Sequence, residues 1–339
     1  MLYFTAASSV KSREIEYKRI LFLPSLFLFY YRLSSSIYAG SHHPTDQTIS
    51  YPYPSTPNPA MKPSLALTIA LAGLGTSHPS CAANHIHRDI PSTIWQPAVA
   101  STWQIVLISA LKYTSPTVDI FDIDLFDNSK STIDSLHNLN RKVICYFSAG
   151  TYEDWRDDEG KFDDADIGAP LDEWEGEAWV DLRSQRIREI MAARLDIAVE
   201  KGCDGVDPDN VDAYDNEGGG LDLTETDSAE CMNWLAGEAH SRGLAIGLKN
   251  AKNIIPQVIG DMQWSVNEQC AEYEECEDYS AFIEKGKPVF HIEYPKGDEV
   301  NDENSVGEKK KETACYAEGS SRFSTLIKNM DLDDWVQDC

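Results

Sequence analysis

Two short runs carry the residues best suited to chemistry. They are Gly202-Cys203-Asp204-Gly205-Val206-Asp207-Pro208-Asp209-Asn210-Val211-Asp212 and Val266-Asn267-Glu268-Gln269-Cys270. In each, carboxylates follow a short apolar run that reads as a buried strand. An aspartate closing one strand and a glutamate closing another are what acid-assisted cleavage of a glycosidic bond requires. One carboxyl protonates the leaving oxygen, and the other meets the positive charge that develops on the sugar. The two must differ in protonation at one pH. Burial beside aromatic rings raises one, while hydrogen bonds or a cation such as Lys249 keep the other ionised. Trp155, Trp174, Trp179, Trp264, Tyr146 and Tyr214 are candidates for apolar walls and sugar-stacking faces. Read singly, Asp209 also suits a helix cap or an Asx turn, Lys249 an ordinary surface lysine, and Glu293 an edge charge.

What must position these residues is a set of eight apolar runs: Gln104 to Ile108, Val118 to Ile123, Lys142 to Phe147, Gly205 to Asp207, Ala245 to Leu248, Gln263 to Asn267, Pro288 to Ile292 and Phe323 to Ile327. Ile187, Met191, Leu195 and Ala198 mark one face of a helix from Ser184 to Lys201 that Gly202 closes, and a helix from Ser228 to Arg242 stops at Gly243. Strand, helix, glycine, strand is the grammar of parallel βα units. Eight of them predict a single (β/α)8 barrel, with an open doubly wound sheet as the rival. Asp124, Ser148-Ala149-Gly150, Asp209 with Asp212, Lys249-Asn250, Glu268 and Glu293 each follow one of these strands. In a barrel those ends share one rim, so residues far apart in sequence meet in one pocket.

Other chemistries fit poorly. A calcium loop starting at Asp207 would have Val211 in its fifth position, Asp212 where glycine is needed and Gly218 where glutamate is needed. There is no HExxH, CxxC pair, GxSxG, GxGxxG or P-loop, so neither a metal nor a cofactor is expected. The formal charge is −27, and the first 80 residues are net basic, which leaves 23 basic and 53 acidic residues, or −30, in the rest. Such a field repels nucleic acid and anionic lipid and attracts cationic ligands, although acidity also keeps a secreted protein soluble.

From Met61 the chain reads Met-Lys-Pro-Ser, then the apolar run Leu65 to Leu74, then small residues to Ala83, the pattern of a secretory signal peptide over 61–83. Because such a signal acts at an N-terminus, residues 1–60 are expected to be upstream sequence translated by mistake, without a fold. The run Ile20 to Tyr31, interrupted by Pro24, falls short of the roughly 20 apolar residues that span a bilayer. A linker over 84–93 and a catalytic domain over 94–339 follow, giving an extracellular monomer. Cys270 and Cys276 bracket an acidic loop, Cys315 and Cys339 suit a clamp on the tail, Cys145 reads as a buried free thiol, and Cys203 could pair with Cys231. The acidic segment Lys296 to Glu312 reads as a solvated loop.

Trp95-Gln96-Pro97, Asp122-Ile123-Asp124-Leu125-Phe126-Asp127, Val143 to Gly150, Gly202 to Asp212, Gly247-Leu248-Lys249-Asn250 and Asn267-Glu268-Gln269-Cys270, taken in order, resemble the endo-α-1,4-polygalactosaminidases of glycoside hydrolase family 114. The resemblance covers residues 94 to 295 and weakens beyond 296. It implies a (β/α)8 barrel that cleaves α-1,4-linked galactosamine in polymers such as fungal galactosaminogalactan, a cationic substrate that suits the acidic charge. It places the catalytic pair on Asp209, as nucleophile or base, and Glu268, as proton donor. Asp124, Tyr146, Asn210, Asp212, Lys249, Asn250 and Glu293 become substrate contacts. Asp207 stands where the family often has glutamate, and Ala213 where glycine is usual. The competing expectation is a non-catalytic, secreted binder of cationic wall polysaccharide on the same fold.

Overall fold

The computed structural model describes residues 93–339 other than 173, 298 and 299, all within the compact unit Ala82–Cys339. The expected upstream segment and signal peptide lie outside the described residues. In chain order the elements are β1 (Trp103–Val106), β2 (Ile120–Asp124), α1 (Lys130–Asn138), β3 (Lys142–Ser148), β4 (Thr151–Glu153), β5 (Ile167–Pro170), β6 (Glu177–Val180), α2 (Gln185–Lys201), β7 (Gly205–Asp209), α3 (Glu225–Ser241), β8 (Ala245–Lys249), α4 (Ile255–Val258), β9 (Trp264–Glu268), α5 (Ser280–Glu284), β10 (Val289–Glu293), α6 (Glu308–Cys315), β11 (Ser324–Lys328) and β12 (Val336–Asp338).

One sheet runs β1-β2-β3-β7-β8-β9-β10-β11-β12, with every pair parallel except β11 and β12. Its two ends meet. Trp103 Nε1 donates to Ser324 O at 2.8 Å, Ser324 Oγ to Ser101 O at 2.7 Å, and Leu107 N to Leu332 O at 2.9 Å. The fold is therefore a (β/α)8 barrel, and its eight parallel strands fall on the eight apolar runs of the sequence.

Side chains alternate along each strand. Ile120, Ile144, Ala245, Trp264, Val266, Phe290 and Ile292 pack together inside the barrel, whereas Phe121, Ile123, Val143, Cys145, Phe147, Val206, Ile246, Leu248 and Val289 pack outward with the helices. Carried forward two residues at a time, the inward register ends on Asp124, Tyr146, Asp209, Lys249, Glu268 and, one residue past β10, Tyr294. Trp264 fills the barrel floor because β8 has no side chain at Gly247, where a Cβ would sit 2.0 Å from the indole nitrogen.

Helix α2 begins after Ser184 and ends at Gly202, whose φ of 91° supplies the left-handed cap. Helix α3 starts before Ser228, at a capping box formed by Thr224 and Asp227. Between β3 and α2 lies an antiparallel sheet, β4-β6-β5, that the sequence reading does not anticipate. Two buried arginines tie this insertion to the barrel. Arg156 pairs with Asp124 at 2.7 Å and Glu153 at 2.8 Å. Arg194 of α2 pairs with Asp158 at 2.9 Å and donates to Ser148 O at 2.7 Å.

Three expectations need correction. Cys145 is not a free thiol and Cys203 does not pair with Cys231: Cys145 of β3 is bonded to Cys203, just before β7, and Cys231 is the buried free cysteine among the described residues. The segment 296–312 is not wholly loop, since α6 begins at Glu308. Other expectations hold: β11 falls on the run Phe323 to Ile327 and is followed by β12, Cys315 is joined to Cys339, and Cys270 to Cys276.

Candidate active site

A cleft of about 460 Å³ opens at the C-terminal ends of the barrel strands, the face on which such barrels carry their sites. Asp124, Tyr146, Asp209, Asn210, Asp212, Lys249, Asn250 and Glu268 all line it. Lys249 is its centre. Buried at 2% exposure, its Nζ lies 3.0 Å from Asp209 Oδ2 and 3.0 Å from Glu268 Oε2. Asp209 Oδ2 also accepts from Tyr146 Oη at 3.0 Å, and its Oδ1 from the Asn210 amide at 2.8 Å. Glu268 Oε1 accepts from Tyr294 Oη at 2.5 Å and Oε2 from Asn250 Nδ2 at 3.2 Å, while Asn250 Oδ1 holds the Glu268 amide at 2.9 Å.

The backbone turns sharply just past each of these three strands. Asn210 (φ 60°), Asn250 (φ 46°) and Gln269 (φ 63°) are all left-handed, a conformation that asparagine tolerates better than most residues and that clusters at functional sites. The turn at Asn210 also needs Gly150 beside it, since a Cβ there would lie 1.5 Å from Asn210 O.

Burial pushes the Lys249 ammonium down, but Asp209, Glu268 and Asp207 outweigh it and leave its pKa well above the ordinary value. Burial pushes the Glu268 carboxyl up; the Lys249 charge and hydrogen bonds from Tyr294, Lys249 and Asn250 reverse this, so the net direction is down. In the free protein Glu268 is thus held ionised. The Tyr146 and Tyr294 phenols are pushed well up by burial and by their carboxylate partners, and so remain donors. Burial, then Asp209, raises Asp212 to about 6, and burial raises Glu177 to about 7.

Eight acids face the cleft against two bases, Lys249 and Arg156, and Arg156 is already paired to Asp124 and Glu153. The cleft is strongly anionic. The insertion supplies one wall through Trp155 and Trp174, 52% and 56% exposed, whereas Trp179 and Trp264 are core. Ile108, Met330 and Leu332 add apolar surface to the lining.

Of the expected substrate contacts, Glu293 lies elsewhere and Asp124 borders the cleft with its oxygens already engaged. Glu293 is absent from the cleft lining. It points outward with His291, accepting from the Ala271 amide at 2.8 Å and bonded to His291 Nε2 at 2.7 Å, because the period-2 register that puts Tyr294 inside puts Glu293 outside. Asp124 does border the cleft, but its oxygens are taken by Arg156 and by the amides of Phe126 and Asp127, so it anchors the insertion. Tyr294, Glu153, Arg156 and Glu177 escaped the sequence reading. Only Tyr294 left a signal there, two residues past Ile292. Cys270, Cys276 and His291 lie close enough to suggest a metal site, but both sulfurs are spent in a disulfide.

The chain shares its fold with two solved glycoside hydrolases. A crystal structure of Aspergillus fumigatus Ega3 in complex with galactosamine is 57% identical, with a TM-score of 0.72, covering 74% of this chain and 100% of that one. The glycoside hydrolase domain of PelA from Pseudomonas aeruginosa, 13% identical with a TM-score of 0.56, covers 70% and 98% and shows the fold alone. Comparison with curated proteins gives no match. The sequence profile of glycoside-hydrolase family GH114 matches residues 86–339, so the similarity extends through the tail beyond residue 296. With three quarters of its length inside that profile, the chain belongs to glycoside-hydrolase family GH114 and is a glycoside hydrolase.

Proposed function

We propose that the protein is a secreted, endo-acting hydrolase of α-1,4-linked galactosamine polymers in which Asp209 and Glu268 are the reacting carboxyls. The observation that carries this reading is the Lys249 ammonium 3.0 Å from an oxygen of each, at the bottom of an anionic cleft walled by exposed tryptophans. An unacetylated galactosamine is cationic and presents an apolar ring face, so such a cleft offers both charge and stacking. The galactosamine bound to the 57% identical Ega3 supports the same substrate class. The signal-like run at 61–83 and three disulfides support secretion.

The nearest oxygens of the two carboxyls share one nitrogen, so they are no farther apart than twice the 3.0 Å contact. That is short of the roughly 6.5–9.5 Å with which inverting enzymes admit a water, and it supports retention. Asp209 attacks the anomeric carbon as Glu268 gives its proton to the leaving oxygen. The sugar is then an ester of Asp209, which Glu268, now a base, helps water to cleave. Glu268 must first gain a proton that the free site does not favour. A bound sugar supplies the condition by excluding water, which strengthens the upward push of burial, while Lys249 settles on Asp209.

Asp209→Asn and Glu268→Gln should each lose roughly 10²–10⁴-fold or more in hydrolysis of the deacetylated polymer. On an aryl glycoside of oligo-galactosamine, whose phenolate leaves unprotonated, Glu268→Gln should recover its first step and Asp209→Asn should not. Near-native activity in either variant on the polymer rejects the pair, and the reverse pattern on the aryl substrate exchanges their roles.

A further inference from the structure

Beneath this site the barrel holds two carboxyls that the reaction above does not use. Asp122 of β2 and Asp207 of β7 are each 0% exposed, one inward position below Asp124 and Asp209. No hydrogen-bond partner among the described residues reaches any of their four oxygens, and the two carboxyls act directly on each other. Two interacting carboxylates buried without a donor would be costly to keep ionised together, so one of them is an acid, which alone can supply a proton to the other.

We propose that Asp122 and Asp207 hold one proton between them and serve as a positioning pair, whose single negative charge keeps Lys249 charged and seated between Asp209 and Glu268. This rests on the reading of those two as the reacting carboxyls. The charged groups facing the pair are Lys249 from β8, Asp209 from β7 and Glu268 from β9. Tyr146 and Tyr294 cap the last two, and Lys328 of β11 is engaged by Gln104 and by Asp333 O. Lys249 is a cation that acts on both members, and Asp207 is among the acids that hold its ammonium charged. Burial pushes both aspartates up; the Asp207 charge adds to this at Asp122, and Asp209 and Glu268 add to it at Asp207, against the pull of Lys249 and of Asp122 itself. The shared proton therefore persists well above the ordinary aspartate range and leaves as the pH rises. The pair then carries two charges and competes with Asp209 and Glu268 for Lys249.

The test has two readouts. Infrared difference spectra of wild type against Asp207→Asn at neutral pH should show a protonated carboxyl in the wild type alone. The amide that this substitution introduces can donate to an ionised Asp122, and turnover is not needed to see the difference. In kcat against pH on the deacetylated polymer, the alkaline limb of Asp207→Asn should move up by roughly one pH unit, because the second ionisation is gone. The double variant Asp122→Asn/Asp207→Asn, which lacks the charge, should lose at least tenfold in kcat with KM little changed. Asp122→Asn should repeat the single-variant pattern if Asp207→Asn folds poorly. Identical spectra would overturn the shared proton, and a carboxyl signal with an unmoved alkaline limb would overturn the positioning role. Either failure is distinguishable from failure of the Asp209 and Glu268 reading, which the aryl substrate tests separately.

Discussion

Lys249 joins the two carboxyls to which the proposed reaction gives opposite tasks. One ammonium lies 3.0 Å from both carboxylates and holds Glu268 ionised in the free protein, so on the proposed reading it is a fixed charge beside Asp209 and a brake on Glu268. Replacing Lys249 with methionine keeps the stem volume and removes both effects. Lys249→Met should lower kcat by roughly 10²–10³-fold, the scale of losing one preorganised electrostatic partner. It should also raise the Glu268 carboxyl, since burial is then opposed only by Tyr294 and Asn250. A carbon-13 NMR titration of the variant reads that rise directly, and an unmoved Glu268 would show that Lys249 does not control it. At this scale the sequence was largely legible, because Asp209, Lys249 and Glu268 each close an apolar run. Glu293 closes one too, yet points away. The end of a strand is visible in a sequence, but the face is settled only when Phe290 and Ile292 are known to be the inward pair.

The barrel strands were readable because their outward residues form continuous apolar runs and their helices end at glycine. The insertion over 151–180 had no such pattern. Its strands are three or four residues long, set among Asp-rich turns, and beside the packing of Trp179 and Val180 buried ion pairs hold them. Arg194 is fully buried on the packed face of α2, a placement that an arginine within a helix does not announce in sequence. It lies 3.5 Å from Glu153 Oε2 and 2.9 Å from Asp158 Oδ1. Arg194→Met would strand those acids inside the protein, and denaturant unfolding should show a loss of about 3–5 kcal/mol, the cost of breaking one side of a buried ion network. Stability within about 1 kcal/mol of wild type would mean that the insertion is held by packing alone. Cys145 was misread for a related reason: a half-cystine within an apolar strand has the sequence surroundings of a core thiol, and only the pairing of β3 with β7 brings Cys203 beside it.

For the whole molecule the governing quantity is charge. A formal −27 and a cleft dominated by carboxylates predict that a polycationic chain is drawn in by field as well as by contact. Raising salt from about 0.1 M to 1 M shortens the screening length from about 10 Å to about 3 Å, so KM for deacetylated polymer should rise several-fold across that range. Partially acetylated chains should respond in proportion to their remaining amines. A salt-independent KM would mean that recognition is confined to short-range contacts at the cleft. The same acidity was plain in the composition, but its concentration at one rim depends on the barrel bringing Asp127, Glu153, Glu177, Asp212 and Asp331 together from distant parts of the chain.

The central claim is that Asp209 bonds to the sugar while Glu268 manages the proton. The most direct measurement is peptide mapping by mass spectrometry of the Glu268→Gln variant after incubation with an α-oligogalactosaminyl fluoride. Fluoride leaves without a proton, and without Glu268 the ester has no base to assist its hydrolysis. A glycosyl adduct on Asp209 is the predicted result. An adduct on any other residue, or no adduct at all, would contradict it.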